Sequence, residues 1–307
     1  MRRILFVYNP NAGKELLRPK LADIIDIFVK ADYEVVVYPT QKYKDGYKKI
    51  LNMEDEYDLL VCGGGDGTLD EVVTGMMRRE NQIPIGYIPT GTTNDFARSL
   101  HIPRDILRAA DTAVNGRVYA CDVGKFNEDI FVYIAAFGLF TDVSYQTKQE
   151  VKNVLGHLAY LLEGTKRIFN IPAYKIKVEY DGNEIEDEFV FGMITNSRSV
   201  GGFRSVIGRK ASFDDGEFEV TLIKVPRNPI ELQEIVAALL VRQIDSKHMY
   251  IFKAAHLKLI SAMEIPWTLD GEYGGEHDVV EVTNLHQKLK IMVEESELEK
   301  LISQKEK

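Results

Sequence analysis

The chain has little of what marks several common protein classes. Its 307 residues include only two cysteines, Cys62 and Cys121, each inside an apolar run that reads as a strand. That count excludes a disulfide framework and makes a reducing compartment the default. Six histidines are scattered with no pair at metal-ligand spacing, which argues against a zinc site. No apolar run approaches the ~18–20 residues of a spanning helix. The opening Met1-Arg2-Arg3-Ile4-Leu5-Phe6-Val7-Tyr8 starts like a secretory leader. Its apolar run stops at Asn9-Pro10 without a small-residue cleavage site, so a first β-strand is expected instead. Net basic charge is also absent. A formal charge of −9 argues against bulk nucleic-acid binding and against adsorption on anionic membrane by net charge alone. Two local basic clusters, Lys148 with Lys152 and Arg204 with Arg209 and Lys210, are read as solvated surface.

What is present is a globular composition, 45% hydrophobic and 28% charged, long enough for one large domain or two ordinary ones. In the first part strands and helices alternate. Strands are expected at 4–8, 35–38, 59–62 and 83–88. A helix face is marked by Leu16, Leu17, Leu21, Ile24, Ile25 and Phe28, and further helices are expected at 45–51, at 69–77 and from 90 to about 100. Such alternation means an α/β, doubly wound, mostly parallel sheet with helices on both faces. Near residue 118 the rhythm changes. Strands are expected at 118–123, 130–136, 173–180, 188–195, 217–224, 255–261 and 279–283, with helices only at 151–168 and 230–241. Residues 177–185 read as a hairpin through Asp181-Gly182. The expected domains are 1–125, α/β, and 126–293, antiparallel β, followed by a helical tail at 294–307.

The densest signal is Tyr57-Asp58-Leu59-Leu60-Val61-Cys62-Gly63-Gly64-Gly65-Asp66-Gly67-Thr68. An apolar strand runs into three glycines, an acid, a fourth glycine and a hydroxyl, and a helical repeat follows. Glycines let a ligand approach the backbone, and the free N–H groups opening a helix attract anions, phosphate above all. Asp66 would then stand at the C-terminal edge of the sheet, where open α/β sheets bind ligands. Thr68 and Glu71 fit a capping box. Two more polar turns are expected at the same edge: Asn9-Pro10-Asn11-Ala12-Gly13-Lys14 after the first strand, and Pro89-Thr90-Gly91-Thr92-Thr93-Asn94-Asp95-Phe96-Ala97-Arg98 after the fourth. Neither is a P-loop or a dinucleotide fingerprint. Together the three turns point at one polyanionic ligand, for which a nucleoside triphosphate is the natural candidate.

The β half adds acids. Asp122 closes a strand, and Asp270-Gly271-Glu272 follows Trp267-Thr268-Leu269. Alone, Asp-Gly-Glu is more simply a hairpin turn. Phosphoryl transfer nevertheless needs one carboxylate to take the proton of the attacking hydroxyl and others to position Mg²⁺. The acidic turn Ser212-Phe213-Asp214-Asp215-Gly216-Glu217 could hold a hard cation, and a plain turn reads as well.

These motifs, taken in order, resemble the diacylglycerol kinase catalytic family, in particular its soluble bacterial lipid kinases. They are Asn9-Pro10-x-x-Gly13-Lys14, Gly64-Gly65-Asp66-Gly67-Thr68-Leu69-x-Glu71, Pro89-x-Gly91-Thr92-x-Asn94-Asp95-Phe96-Ala97-Arg98, Asp122-Val123-Gly124 and Asp270-Gly271-Glu272. The resemblance covers nearly the whole chain. Gly-Gly-Asp-Gly-Thr alone is shared with NAD kinases. The resemblance implies a nucleotide domain, a C-terminal β-sandwich and a site between them. It implies that ATP is held by Asn9, Pro10, Asn11, Ala12, Gly13, Thr40, Gly64, Gly65, Asp66, Gly67, Thr68, Leu69, Asp70 and Thr92. It implies that Asp66, Asp122 and Asp270 order Mg²⁺ and its water, and that Glu272 is the general base. A structural magnesium site at Ser212, Asp215 and Glu217 follows from the same resemblance. Asp70 departs from the family, which commonly carries Asn there, and puts an extra negative charge beside the triphosphate.

The resulting expectation is an ATP-dependent phosphotransferase acting on the hydroxyl of diacylglycerol. Such an enzyme would be cytoplasmic and meet the inner face of the membrane peripherally, through the helix carrying Val151, Val154, Leu155, Leu158, Leu161 and Leu162 or another surface. A homodimer is the base-rate expectation. The rival readings are a kinase for another lipid alcohol, an NAD kinase-like small-molecule kinase, and a nucleotide- or lipid-binding regulator without turnover.

Overall fold

The computed structural model describes residues 1–138, 172–196, 199–200, 203–204, 212–241 and 247–303. The chain divides into two compact units, residues 1–122 with 287–307, and residues 123–286.

The first unit begins with β1 (Arg2–Tyr8), α1 (Leu21–Lys30), β2 (Tyr33–Pro39), α2 (Asp45–Leu51), β3 (Leu59–Gly64), α3 (Asp66–Met77) and β4 (Ile85–Pro89). Then come α4 (Asp95–Ser99), α5 (Ile106–Asn115) and β5 (Arg117–Phe126), the last of which runs on into the second unit. β2 pairs with β1, β1 with β3 and β3 with β4, all parallel, as the alternating pattern predicts. Ile4, Phe6, Leu59 and Val61 are buried because helices cover a parallel sheet, so its strands read as continuous apolar runs. Residues 10–20 depart from the expected long helix. Two short 3₁₀ turns precede α1, and Leu16 lies half exposed while Leu17 is buried. α5 lies outside the expected elements. Its apolar residues recur at helical spacing, with Ala109, Ala110, Ala113 and Val114 buried, and its contact face on β4 is alanine. The packing uses the small alanine side chains, since a Cβ on Gly86 of β4 would come within 2.4 Å of the Ala113 Cβ.

The second unit holds β6 (Asp129–Phe131), β7 (Ile134–Gly138), β8 (Tyr174–Tyr180), β9 (Asn183–Thr195), β10 (Ser199–Val200), β11 (Phe203–Arg204), β12 (Phe218–Lys224), α6 (Pro229–Val241), β13 (Met249–Ala254), β14 (His256–Leu269) and β15 (Glu272–Val293). The expected single strand at 130–136 is two strands. Val132 and Tyr133 leave the ladder and turn their N–H groups to Asp270. β13, and the far ends of β14 and β15, extend the strand pattern beyond the expected runs. All the pairings in this unit with a defined register are antiparallel. β9 pairs with β8 through its first half and with β7 and β12 through its second, and β14 pairs with both β8 and β7, so these ladders close on themselves. Trp267 fills the interior, edge-on to Phe126 at 4.9 Å and Phe137 at 4.8 Å. The β8–β9 hairpin turns through Asp181 and Gly182, both with positive φ, as a two-residue turn of this hand requires.

After residue 286 the chain returns to the first unit, where Ile291 of β15 pairs parallel with Ile85 of β4. The helix α7 (Glu295–Ser303) closes on that unit. Arg108 grips Glu294 with two hydrogen bonds, and Glu297 meets His101 at 2.7 Å. The helix expected at 151–168, and the clusters around Lys148, Lys152, Arg209 and Lys210, lie outside the described residues. No described helix is long and apolar enough to cross a membrane.

Candidate functional site

β1, β3 and β4 end together at one edge of the first sheet, and their turns are tied to one another by backbone. The Asn9 N–H donates to Gly63 O at 2.8 Å, and the Thr90 N–H donates to Gly64 O at 2.8 Å. Asn9 Oδ1 accepts the N–H of Asn11, which curls residues 9–13 into a tight turn. Gly13 completes it with φ +58, and a Cβ there would lie 1.9 Å from Thr90 O. Gly91 approaches Gly65 so closely that a Cβ on it would sit 2.7 Å from the Gly65 Cα. Asn94, at φ +49, clamps this third turn by accepting the Gly91 N–H and donating to Gly91 O. At Gly13, Gly65 and Gly91 backbone packs on backbone. Thr92 is exposed on the same turn, and Thr40, at the end of β2, is buried with its N–H on Tyr8 O.

α3 starts at Asp66, with Gly65 as its N-cap and no side chain capping it. The expected capping box does not form. Glu71 instead accepts the N–H groups of Lys44 and Gly46. Thr68 and Leu69 face inward, Gly67 outward, and Asp70 is half-buried one turn beyond Asp66.

Asp66 sits against Asp95. The Asp95 N–H points at Asp66 Oδ2 at 3.4 Å, while Asp66 Oδ1 is buried without a hydrogen-bond partner. Burial, and secondarily the negative charge of Asp95, push the Asp66 carboxyl up to about 6 against the opposing N–H groups of residues 94–96. Asp95 is 2% exposed, and Arg98 Nη1 stands 3.6 Å from its Oδ1. A half-buried carboxylate beside a buried one, with one vacant oxygen, suits a hard divalent cation that also binds phosphate, since magnesium takes few protein ligands and completes its shell with phosphate and water. Among the described residues no three His, Cys, Asp or Glu side chains converge to hold a metal by themselves.

Asp122 is fully buried and accepts the Gln287 N–H at 2.8 Å. In the second unit Asp270 and Gly271 form the two-residue β14–β15 turn, so the hairpin reading of Asp-Gly-Glu holds for the backbone. The Asp270 carboxylate accepts three N–H groups, from Val132, Tyr133 and Ile134. Glu272, the next residue but one, is exposed. At the 212–219 turn, Ser212 donates to Asp214, and Lys253 Nζ lies 2.5 Å from Asp215, 3.4 Å from Glu219 and 3.8 Å from Glu217. Three carboxylates thus share one ammonium. Burial pushes the Glu219 carboxyl up to about 7, Asp215 adding to the rise and Lys253 opposing it.

Comparison with known proteins decides the lineage. Residues 3–126 match the diacylglycerol kinase catalytic domain, and residues 136–293 match the YegS C-terminal NAD kinase β-sandwich-like domain. A diacylglycerol kinase of Bacillus subtilis is 34% identical over 98% of this chain and 99% of its own. One from Staphylococcus aureus is 36% identical over 90% of this chain and 87% of its own. The chain belongs to the diacylglycerol kinase family. A crystal structure of a diacylglycerol kinase from Bacillus anthracis superposes with a TM-score of 0.78 at 26% identity, covering 96% of this chain and 98% of that one. An NAD kinase from Archaeoglobus fulgidus, with a TM-score of 0.50 at 12% identity, shares the fold alone.

For this member of the diacylglycerol kinase family, the structure gathers Asn9 to Gly13, Gly64 to Asp70 and Thr92 around one sheet edge. The sequence reading left Asp95 out of the acids beside Asp66. The signal was available, because Asn94-Asp95 opens a helix at the same edge, but only the fold turns two acids 29 residues apart onto one point. Glu71 was likewise read as a cap, because a capping box and a longer-range anchor look alike along the sequence.

Proposed function

We propose that this chain is an ATP-dependent lipid kinase that transfers the γ-phosphoryl group of ATP to the hydroxyl of diacylglycerol, giving phosphatidate. The observation that carries the reading is the convergence of three glycine-bearing turns on the Asp66–Asp95 pair. The N–H groups opening α3 at Asp66 and Gly67 bind the phosphates, the turns at 9–13 and 91–92 close around them, and Thr40 and Thr92 complete the nucleotide contacts. Asp66 and Asp95 hold magnesium with the nucleotide. Bound there, the ion neutralises charge developing on the phosphoryl oxygens. Glu272 accepts the proton of the lipid hydroxyl as the oxygen attacks phosphorus, and the ADP oxygen leaves. Asp270, committed to three backbone N–H groups, fixes the turn that presents Glu272. Asp122 holds the backbone at Gln287 and lends its negative charge to the metal and water network. Asp70, on α3 one turn beyond Asp66, adds negative charge beside the phosphate turn, which magnesium or a proton would offset.

The turn bearing Ser212, Asp215 and Glu217 is proposed as a second, structural magnesium site. Its net negative charge supports this: Asp215, Glu217 and Glu219 outnumber Lys253. Diacylglycerol does not dissolve in water, so the enzyme works peripherally at a bilayer, on the cytoplasmic inner face, and a homodimer is a fair expectation.

Labelled ATP offered with mixed micelles of diacylglycerol, monoacylglycerol or ceramide, and separately with NAD in buffer, tests the proposal. Label in phosphatidate, dependent on magnesium, is the expected result. NADP formation would support the small-molecule kinase. Measurable ATP binding with no transfer to any acceptor would support the regulator.

A further inference from the structure

Glu71 makes an anchor that the proposed reaction does not use. It lies on α3, five residues after Asp66, and both its oxygens are engaged by backbone outside that helix. Oε1 accepts the Lys44 N–H at 2.8 Å and Oε2 accepts the Gly46 N–H at 3.0 Å. The segment it grips is not relaxed, since Lys44 holds a left-handed conformation at φ +59. Gly46 is wedged between Glu71 and Thr40. A Cβ placed on it would lie 3.0 Å from Glu71 Oε2 and 3.8 Å from the Thr40 methyl group. One turn further along α3, Gly75 lets α2 approach, where a Cβ would meet Ile50 at 2.9 Å. The segment from Thr40 to the N-terminal turn of α2 is therefore pinned at both ends. Thr40 donates its N–H to Tyr8 of β1, and residues 44 and 46 donate theirs to Glu71 of the helix that Asp66 opens. At the start of α2, Asp45 accepts the Gln41 N–H and the hydroxyl of Tyr38 of β2, which ties the segment together.

We propose that Glu71 is a positioning residue for the nucleotide: it locks the Thr40 side of the pocket to the phosphate turn through two charge-assisted hydrogen bonds. This rests on the reading that Thr40 contacts ATP. A carboxylate suits the task because it offers acceptors only, and both N–H groups need one. Glutamine in its place presents one acceptor and one donor, so one of the two anchors becomes a clash of N–H groups.

The test is Glu71→Gln in the full chain, with steady-state kinetics on diacylglycerol micelles, calorimetric ATP binding and thermal melts. The expected result is a rise of about tenfold in both the KM and the Kd for ATP, the scale of one lost charge-assisted hydrogen bond. The KM for lipid should stay unchanged and kcat should shift less than threefold. A lower melting temperature with unchanged ATP affinity would overturn the proposal and leave Glu71 a purely structural residue. Gly46→Ala, which crowds the same carboxylate without deleting it, should move ATP affinity in the same direction, and it carries the test should the first variant fold poorly. If the unaltered protein binds ATP but phosphorylates no lipid, the proposed reaction fails, while the binding arm still decides the role of Glu71.

Discussion

The Asp95 backbone N–H points at Asp66 Oδ2 across 3.4 Å, with Asp95 buried and Asp66 half-buried, each opening its own helix. This arrangement works against folding and toward cation binding. Asp66 titrates at about 6 instead of its ordinary 3.8. Because the folded value is the higher one, the neutral carboxyl favours the fold. That contribution is complete below pH 3.8 and is lost as pH rises through about 6. Asp66→Asn should therefore melt higher than the unaltered protein at pH 7.5, by an amount corresponding to about 1–3 kcal/mol, and the gap should close near pH 4. The same variant should lose turnover. Melts at both pH values check the first point, and a variant no more stable than the parent at pH 7.5 refutes it.

Glu272 is exposed at the start of β15. Glu272→Gln is expected to leave the fold and ATP affinity intact and to depress turnover ~10²–10⁴-fold, the usual worth of a positioned base. Near-normal phosphatidate formation would remove it from the mechanism.

Asp270 should behave in the opposite way. Replacing it with Asn leaves a single oxygen and an NH₂ group facing three buried N–H donors, a loss of about 2–4 kcal/mol. A melting temperature several degrees lower, measured without any ligand, is the expected outcome. An unchanged melt with lost activity would return Asp270 to direct work on metal or water.

Two glycines with positive φ give a paired comparison. Gly182→Ala adds a Cβ with nothing within 4 Å, so only backbone strain of about 1 kcal/mol is incurred. Gly13→Ala drives its Cβ to 1.9 Å from Thr90 O and must push two of the three turns apart. ATP binding should survive the first change and be lost in the second, as calorimetry would reveal.

Magnesium added without nucleotide should raise the melting temperature if the 212–217 turn takes a cation. Asp215→Asn should remove most of that response while also freeing Lys253 from its shortest partner. An equal magnesium response in both proteins would leave the turn to Lys253 alone.

Much of this fold is local and was readable. The run from Leu59 to Gly64 had to be a buried strand, and the glycines, Asp66 and the helix after them followed from short-range rules of backbone conformation. Asp181-Gly182 announced its own hairpin, because few residue pairs tolerate two positive φ angles. α5 was legible too, since Ile106, Leu107, Ala109, Ala110, Ala113 and Val114 recur at helical spacing, but only the facing Gly86 explains why alanine is wanted at the closest contact.

By itself, then, the sequence determined which turns are polar, where acids stand in them, and that parallel and antiparallel halves follow each other. Tertiary structure decided what meets. It set Asp95 against Asp66, sent Glu71 to the loop of Lys44 and Gly46 instead of its own helix end, and gave Asp270 three N–H groups from residues 132–134. It also returned Ile291 to the first sheet beside Ile85. The reason is range. Periodicity and turn chemistry act over a few residues, whereas these pairings join residues 25 to 206 apart, and only the closed packing of the chain selects among partners equally suitable in type.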